Sequence, residues 1–166
     1  MKQRHTRRSR RSSSDLAVAV FQHGPVKGEV VATNEGRGVR ITAEFSQLPP
    51  GKHGCHIHTA GDLRGEGCKG ACAHYHIGAP VRHGGAPDSA GTRHTGDLGN
   101  IELVGGRGSF KKSYFLRGVK VEDLWGRSAI VHADEDDLGH GDHEDSGTTG
   151  HSGARIGCAI FGRGKL

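Results

Sequence analysis

His56-Ile57-His58 is the densest chemical signal in the chain. Side chains two apart on a β-strand face the same way, so both imidazoles can reach one metal ion while Ile57 points to the opposite face. His132 ends a second short apolar run, Ser128-Ala129-Ile130-Val131-His132, and can deliver a third imidazole. Three or four neutral imidazoles suit copper or zinc, whereas calcium and magnesium prefer oxygen ligands. His74, His83, His94 and Asp97 fall in one long irregular stretch, and three histidines with one carboxylate make a suitable tetrahedral zinc shell. Any single histidine is more often a surface or internally satisfied residue than a ligand. That reading applies to His5, His23, His53, His140, His143 and His151, and His76 is read as a loop residue.

Short strands must position these side chains. Residues 15–21 begin an apolar strand-like run, His23-Gly24-Pro25 breaks it, and residues 28–32 read as the returning strand of a hairpin. Val39-Arg40-Ile41-Thr42-Ala43-Glu44-Phe45 alternates apolar with polar, the period of a half-buried strand, and Pro49-Pro50-Gly51 ends it. Further strands are expected over 54–58, 101–104, 109–116, 127–133 and 155–161. Between them lie two long loops, 59–100 and 134–154, and loops of that length inside a compact domain are usually functional. No sustained helical period appears, so helices should be minor. The 29 glycines sit between short apolar alternations, which points to many turns joining antiparallel strands.

The 166 residues fit one domain, and the sequence divides into a basic arm over 1–14, expected to be disordered, and a body over 15–166. The formal charge of +5 belongs to the arm: six of the 23 basic residues lie within residues 1–11, leaving 17 against 18 acidic ones elsewhere. Such a run is most often a solvated tail, and its arginines could also contact nucleic acid or an acidic surface. No stretch is apolar enough to span a membrane as a helix, and no signal-peptide core follows the basic start, so the cytoplasm is the expected compartment. Of the four cysteines, Cys55, Cys68, Cys72 and Cys158, none forms a CxxC pair, which argues against a zinc ribbon or a thioredoxin-type site.

At these residues the sequence resembles the copper/zinc superoxide dismutase family. The resemblance rests on Gly54-Cys55-His56-Ile57-His58-Thr59-Ala60-Gly61-Asp62, Arg82-His83-Gly84-Gly85, Arg93-His94-Thr95-Gly96-Asp97-Leu98-Gly99-Asn100, the run from Gly126 to His132, Asp136-Asp137-Leu138-Gly139, and Gly153-Ala154-Arg155-Ile156-Gly157-Cys158. These motifs occur in the family's order over about residues 16 to 162. The resemblance implies an all-β fold, an antiparallel Greek-key barrel or immunoglobulin-like sandwich with two long functional loops. It implies copper on His56, His58, His74 and His132, and zinc on His74, His83, His94 and Asp97, with His74 bridging the two. Asp136 is implied to link ligands of both sites, Arg155 to attract superoxide, and Cys68 and Cys158 to form a disulfide. The implied reaction is dismutation of superoxide to oxygen and hydrogen peroxide by alternate reduction and reoxidation of the copper. His74, Arg155 and His132 are the implied catalytic residues. Implied partners are superoxide, a second copy in a homodimer and a copper chaperone.

Cys55 and Cys72 are expected to be buried apolar thiols. In the second loop, Thr148-Thr149 stands where the family has a Lys-Thr pair, and Asp134 replaces another lysine. Fewer cations should slow the approach of an anion and flatten its salt dependence. Two other readings are a dismutase-like metal carrier or copper-chaperone domain, which the retained ligands and Arg155 count against, and a zinc-stabilised structural module whose basic tail binds an acidic surface.

Overall fold

The computed structural model describes residues 15–166, so the expectations for the arm over 1–14 lie outside the described residues. Among the described residues, nine strands form two antiparallel sheets. The first has the order β6 (Phe110–Arg117), β3 (Gly38–Gln47), β2 (Lys27–Glu35), β1 (Asp15–Phe21), β9 (Gly162–Lys165). The second has the order β5 (Asp97–Ile101), β4 (His53–His58), β7 (Ser128–His132), β8 (Arg155–Ile160). Helical structure is confined to single turns, among them α1 (Val121–Leu124) and α2 (Ser146–Thr149). The architecture is therefore the expected all-β one, in the form of a two-sheet sandwich. No helix among the described residues is long and apolar enough to cross a membrane.

Alternation decides which face each sheet buries. Ala17, Ala19 and Phe21 of β1, Val30 and Ala32 of β2, and Val39, Ile41, Ala43 and Phe45 of β3 point into the core. Cys55 and Ile57 of β4 and Ala129 and Val131 of β7 meet them from the second sheet. The alternate residues of those two strands, His56, His58 and His132, are just as buried but face the other way, beneath the two long loops. β4 and β7 thus pack the core with odd-numbered residues and turn His56, His58 and His132, at even-numbered positions, to a polar chamber on the other side.

Two elements differ from the sequence expectation. A strand starts at Asp97 rather than Ile101, and the chain from Val104 to Gly106 is a single 3-10 turn. β9 was not expected at all; it pairs antiparallel with the outer edge of β1, Asp15 facing Lys165.

Cys55 is buried as expected, and burial pushes its thiol up to about 12. Cys72 is exposed, contrary to expectation: it sits at φ 63 in the first long loop, its side chain turned outward. A thiol reagent should therefore modify one cysteine, Cys72, in the native protein and a second only on unfolding. Two rapidly reacting thiols, with Cys55 among them, would contradict this packing.

Candidate metal centre

Backbone pairing brings the chamber together. His56 lies opposite Ile130 and His58 opposite Ser128 across the β4–β7 ladder, while His132 is opposite Arg155 of β8. The first long loop continues the β5 side of β4 beyond Asp97: Tyr75 N donates to Ile57 O at 2.8 Å, Gly96 N to Tyr75 O at 2.8 Å, and Ile57 N to Gly96 O at 2.8 Å. These bonds leave His74 as a one-residue bridge opposite His58. His83 N donates to Gly147 O at 2.8 Å, so the first loop is also tied to the second.

Two groups of metal-ligating side chains converge there, His56, His58, His74 and His132, and His56, His74, His83 and Asp97, each with one donor atom per residue within 4.8 Å of the others. His94 stands outside the second group by that measure, yet its Nδ1 lies 3.3 Å from Asp97 Oδ2. Among the described residues, every histidine and the aspartate expected as ligands are thus gathered in one place, where all but the partly exposed His94 are buried.

Each ring spends one nitrogen on a fixed acceptor, which sets its tautomer and aims the other nitrogen inward. His56 Nε2–H donates to Asp136 Oδ2 at 2.7 Å, and His83 Nε2–H to Asp136 Oδ1 at 2.8 Å. His58 Nδ1–H donates to Cys72 O at 2.7 Å, His132 Nδ1–H to Gly153 O at 3.1 Å, and His94 Nε2–H to Val81 O at 3.1 Å. Consequently His58 Nε2 and His132 Nε2, 3.4 Å apart, both face each other without a proton. His56 Nδ1, His74 Nε2, His83 Nδ1 and His94 Nδ1 are buried without a hydrogen-bond partner. Buried nitrogen lone pairs pointing at one another are costly unless a cation receives them. The residues fit copper and zinc on this observation alone.

The protonation states of His56, His58 and His132 agree. Burial lowers His58 and His56 far below the ordinary imidazole value, and it brings His132 down to about 4. Neutral rings are the ligating form. For Asp97, burial alone would raise the carboxyl, but the adjacent imidazoles of His74, His83 and His94 outweigh it and hold the group well below the usual carboxylate range. Burial likewise opposes the charge on His83, yet Asp136 and Asp97 prevail and push it up to about 9, so this ring must release its Nδ1 proton to act as a ligand.

Asp136 is itself pinned: its N–H donates to Asn100 Oδ1 at 2.7 Å, and its carbonyl accepts from Asn100 Nδ2 at 2.9 Å. Gly150 packs directly over it at φ 69, where an added Cβ would overlap Asp136 Oδ1 and His83 Nε2. Gly150→Ala should therefore cost about 1 kcal/mol in backbone strain alone. Displacement of Asp136 should weaken zinc retention as well, which chelator competition would measure; unchanged zinc affinity would contradict the contact.

Cys68 and Cys158 form the expected disulfide, joining the first loop to β8 across 90 residues. Half-buried Arg155 donates from Nη1 to Cys68 O at 2.7 Å and from Nη2 to Cys72 O at 2.7 Å. Its guanidinium borders a cavity of about 340 Å³ together with His58, His74, His132 and Asp145. The sequence did not reveal Cys72 O, Gly153 O or Val81 O as anchors, because a backbone carbonyl leaves no mark in residue type. His53 is a satisfied buried residue, bonded to His132 O and Pro49 O at 2.9 Å each. His76 is a loop residue, as expected, giving Nε2–H to Ala79 O at 2.8 Å.

Comparison with known proteins agrees with this geometry. The copper/zinc superoxide dismutase family model matches residues 26–161. The superoxide dismutase [Cu-Zn] of Paramecium bursaria Chlorella virus 1 is 46% identical over 153 residues, spanning 90% of this chain and 79% of its own length. The crystal structure of the clock protein EA4 is similar with a TM-score of 0.76 at 27% identity, covering 97% of this chain and 100% of the other. A sandwich with two histidine-rich clusters, a loop-tethering disulfide and this degree of likeness places the chain in the copper/zinc superoxide dismutase family, as an enzyme that dismutes superoxide with copper and zinc.

Proposed function

We propose that His56, His58, His74 and His132 hold the copper, that His74, His83, His94 and Asp97 hold the zinc, and that His74 serves both. The observation that carries this division is the direction of the free nitrogens. His58 Nε2 and His132 Nε2 face each other bare at 3.4 Å, while His74 Nδ1 turns to Asp97 Oδ1 at 2.9 Å and leaves Nε2 for the opposite side. His56 is placed in the first set with His58, two residues on along β4, and Asp136 holds its Nε2. His94 belongs to the second because its buried Nδ1 turns to Asp97.

Bound there, copper supplies one-electron exchange with superoxide and zinc supplies a fixed positive charge. The chain does the rest. Arg155 keeps a permanent cation at the cavity, where it draws and orients a small anion. The carbonyls of Cys68 and Cys72 hold its guanidinium at that wall. His74 Nε2, buried and unpartnered, is the atom at which a proton can be held for the reduced substrate. Asp136 keeps His56 and His83 in the ligating tautomer.

Metal analysis of single variants tests the division. His132→Ala should lose copper and retain zinc, and His94→Ala should lose zinc while keeping copper on its four imidazoles. Loss of zinc alone from His132→Ala would reverse the assignment. The cytoplasm is the proposed compartment. A homodimer, loading by a copper chaperone, and contact of the basic arm with nucleic acid or an acidic surface complete the proposal.

A further inference from the structure

The open side of the proposed zinc set is His94. Its side chain is 16% exposed, against 0–1% for His74, His83 and Asp97. Two stretches of the first long loop hold it. Its Nε2–H donates to Val81 O at 3.1 Å, and its backbone N–H donates to Asp97 Oδ2 at 2.8 Å. The stretch that supplies Val81 belongs to no strand: residues 77–80 are exposed, and Gly78 turns at φ 98.

His76 ties that stretch to the residue beside His94. Thr95 N–H donates to His76 Nδ1 at 3.2 Å, and His76 Nε2–H donates to Ala79 O at 2.8 Å. Both bonds require the same tautomer, a bare Nδ1 and a proton on Nε2, so one neutral ring makes both. Ile77 N–H donates to Thr95 Oγ1 at 3.0 Å and closes the clasp. The half-buried ring of His76 also meets the ring of His94 edge to face, with centroids 5.7 Å apart and planes at 67°. A residue outside both ligand sets thus holds the backbone next to the exposed ligand, bends the turn that leads to Val81, and covers one side of the ligand ring.

We propose that His76 is a positioning residue for the zinc: it fixes His94 through Thr95 on one side and through the turn to Val81 on the other, and so slows release of the ion. The inference rests on the assignment of His94 to the zinc set.

The effect runs through geometry. Metal–ligand distances hold within about 0.2 Å of their ideal values, so a small displacement of a ligand ring is felt at the ion. Groups that orient a ligand typically matter by about 10- to 100-fold in metal affinity. His76 touches the backbone beside His94 and not its donor nitrogen, which places its effect at the lower end of that range. Without its bonds the turn between Tyr75 and His83 loosens, and Val81 O can swing away from His94 Nε2. His58 and His132 are anchored elsewhere, on Cys72 O and Gly153 O, so copper should be retained. Two replacements each reproduce one bond. Asparagine places Oδ1 where imidazole has Nδ1 and can accept from Thr95, whereas glutamine places its amide nitrogen where imidazole has Nε2 and can donate to Ala79 O.

The test is the rate at which a chelator removes zinc from the copper- and zinc-loaded protein. The visible spectrum of cobalt(II) substituted for zinc is a second readout, which reports ligand geometry and not stability. His76→Gln, which loses the Thr95 bond, should release zinc about tenfold faster than the native protein and shift the cobalt bands. His76→Asn, which keeps that bond, should restore the native release rate and the native cobalt spectrum. A native release rate with unshifted cobalt bands in His76→Gln overturns the proposal, and so does a His76→Asn variant that releases zinc as fast as His76→Gln. Full zinc retention in His94→Ala would overturn the zinc assignment itself, which separates failure of that reading from failure of the role given to His76.

Discussion

Replacing Asp136 with alanine should weaken both metal sites at once, by about 10- to 100-fold each. Its two oxygens hold His56 Nε2 at 2.7 Å and His83 Nε2 at 2.8 Å, one ring from each proposed ligand set. Without the carboxylate each ring is free to carry its proton on Nδ1, the nitrogen now turned inward. Ligation then costs a tautomer change and a loss of ring freedom in addition. The main chain should change little, because Asn100 still ties the backbone of residue 136 from β5. Chelator competition followed separately for copper and zinc measures both losses. Asp136→Asn sharpens the experiment, because an amide has one acceptor oxygen and can serve only one of the two rings. Full metal affinity in Asp136→Ala would show that the ring orientations are set elsewhere.

Cys158→Ser should lower stability by about 2–5 kcal/mol, since the bond closes a loop of 90 residues and a chain-entropy estimate for such a loop is about 4–5 kcal/mol. The effect should reach function too. The loop tethered by Cys68 supplies the carbonyls of residues 68 and 72, which receive Arg155, and Cys72 O also receives His58 Nδ1–H. Opening the bond therefore loosens the guanidinium proposed to draw the substrate and one imidazole of the proposed copper set. Urea unfolding gives the stability change, and the rate of superoxide consumption by folded, metal-loaded protein gives the functional one. A destabilised variant with an unaltered rate would show that Arg155 and His58 do not depend on the tether.

Much of this was legible in the residues. His56 and His58 sit two apart on a strand whose other face, Cys55 and Ile57, is apolar, and the fold uses that alternation directly. β5 was hidden because Asp97-Leu98-Gly99-Asn100-Ile101 has no period-2 pattern and carries Gly99 at φ 76; only burial of Leu98 and Ile101 shows why it pairs. β9, Gly-Arg-Gly-Lys, opposes strand propensity, and it forms because β1 offers an open edge. Cysteine is commonly buried, which misplaced Cys72; its backbone, with a positive φ and a carbonyl serving two side chains, turns the thiol outward. His143 and His151 read singly as surface residues, and seven intervening positions concealed that the second loop folds them into a stack. The proposed ligands were readable as a cluster because their chemistry lies in side chains. Their anchors were not, because most are carbonyls.

The most direct test of the central claim is superoxide dismutation by the purified protein loaded with copper and zinc, measured beside His132→Ala loaded in the same way. The structure predicts rapid dismutation by the native protein and its loss in the variant, with zinc still bound. A fully metal-loaded native protein that leaves superoxide untouched, or a His132→Ala variant as active as its parent, would contradict it.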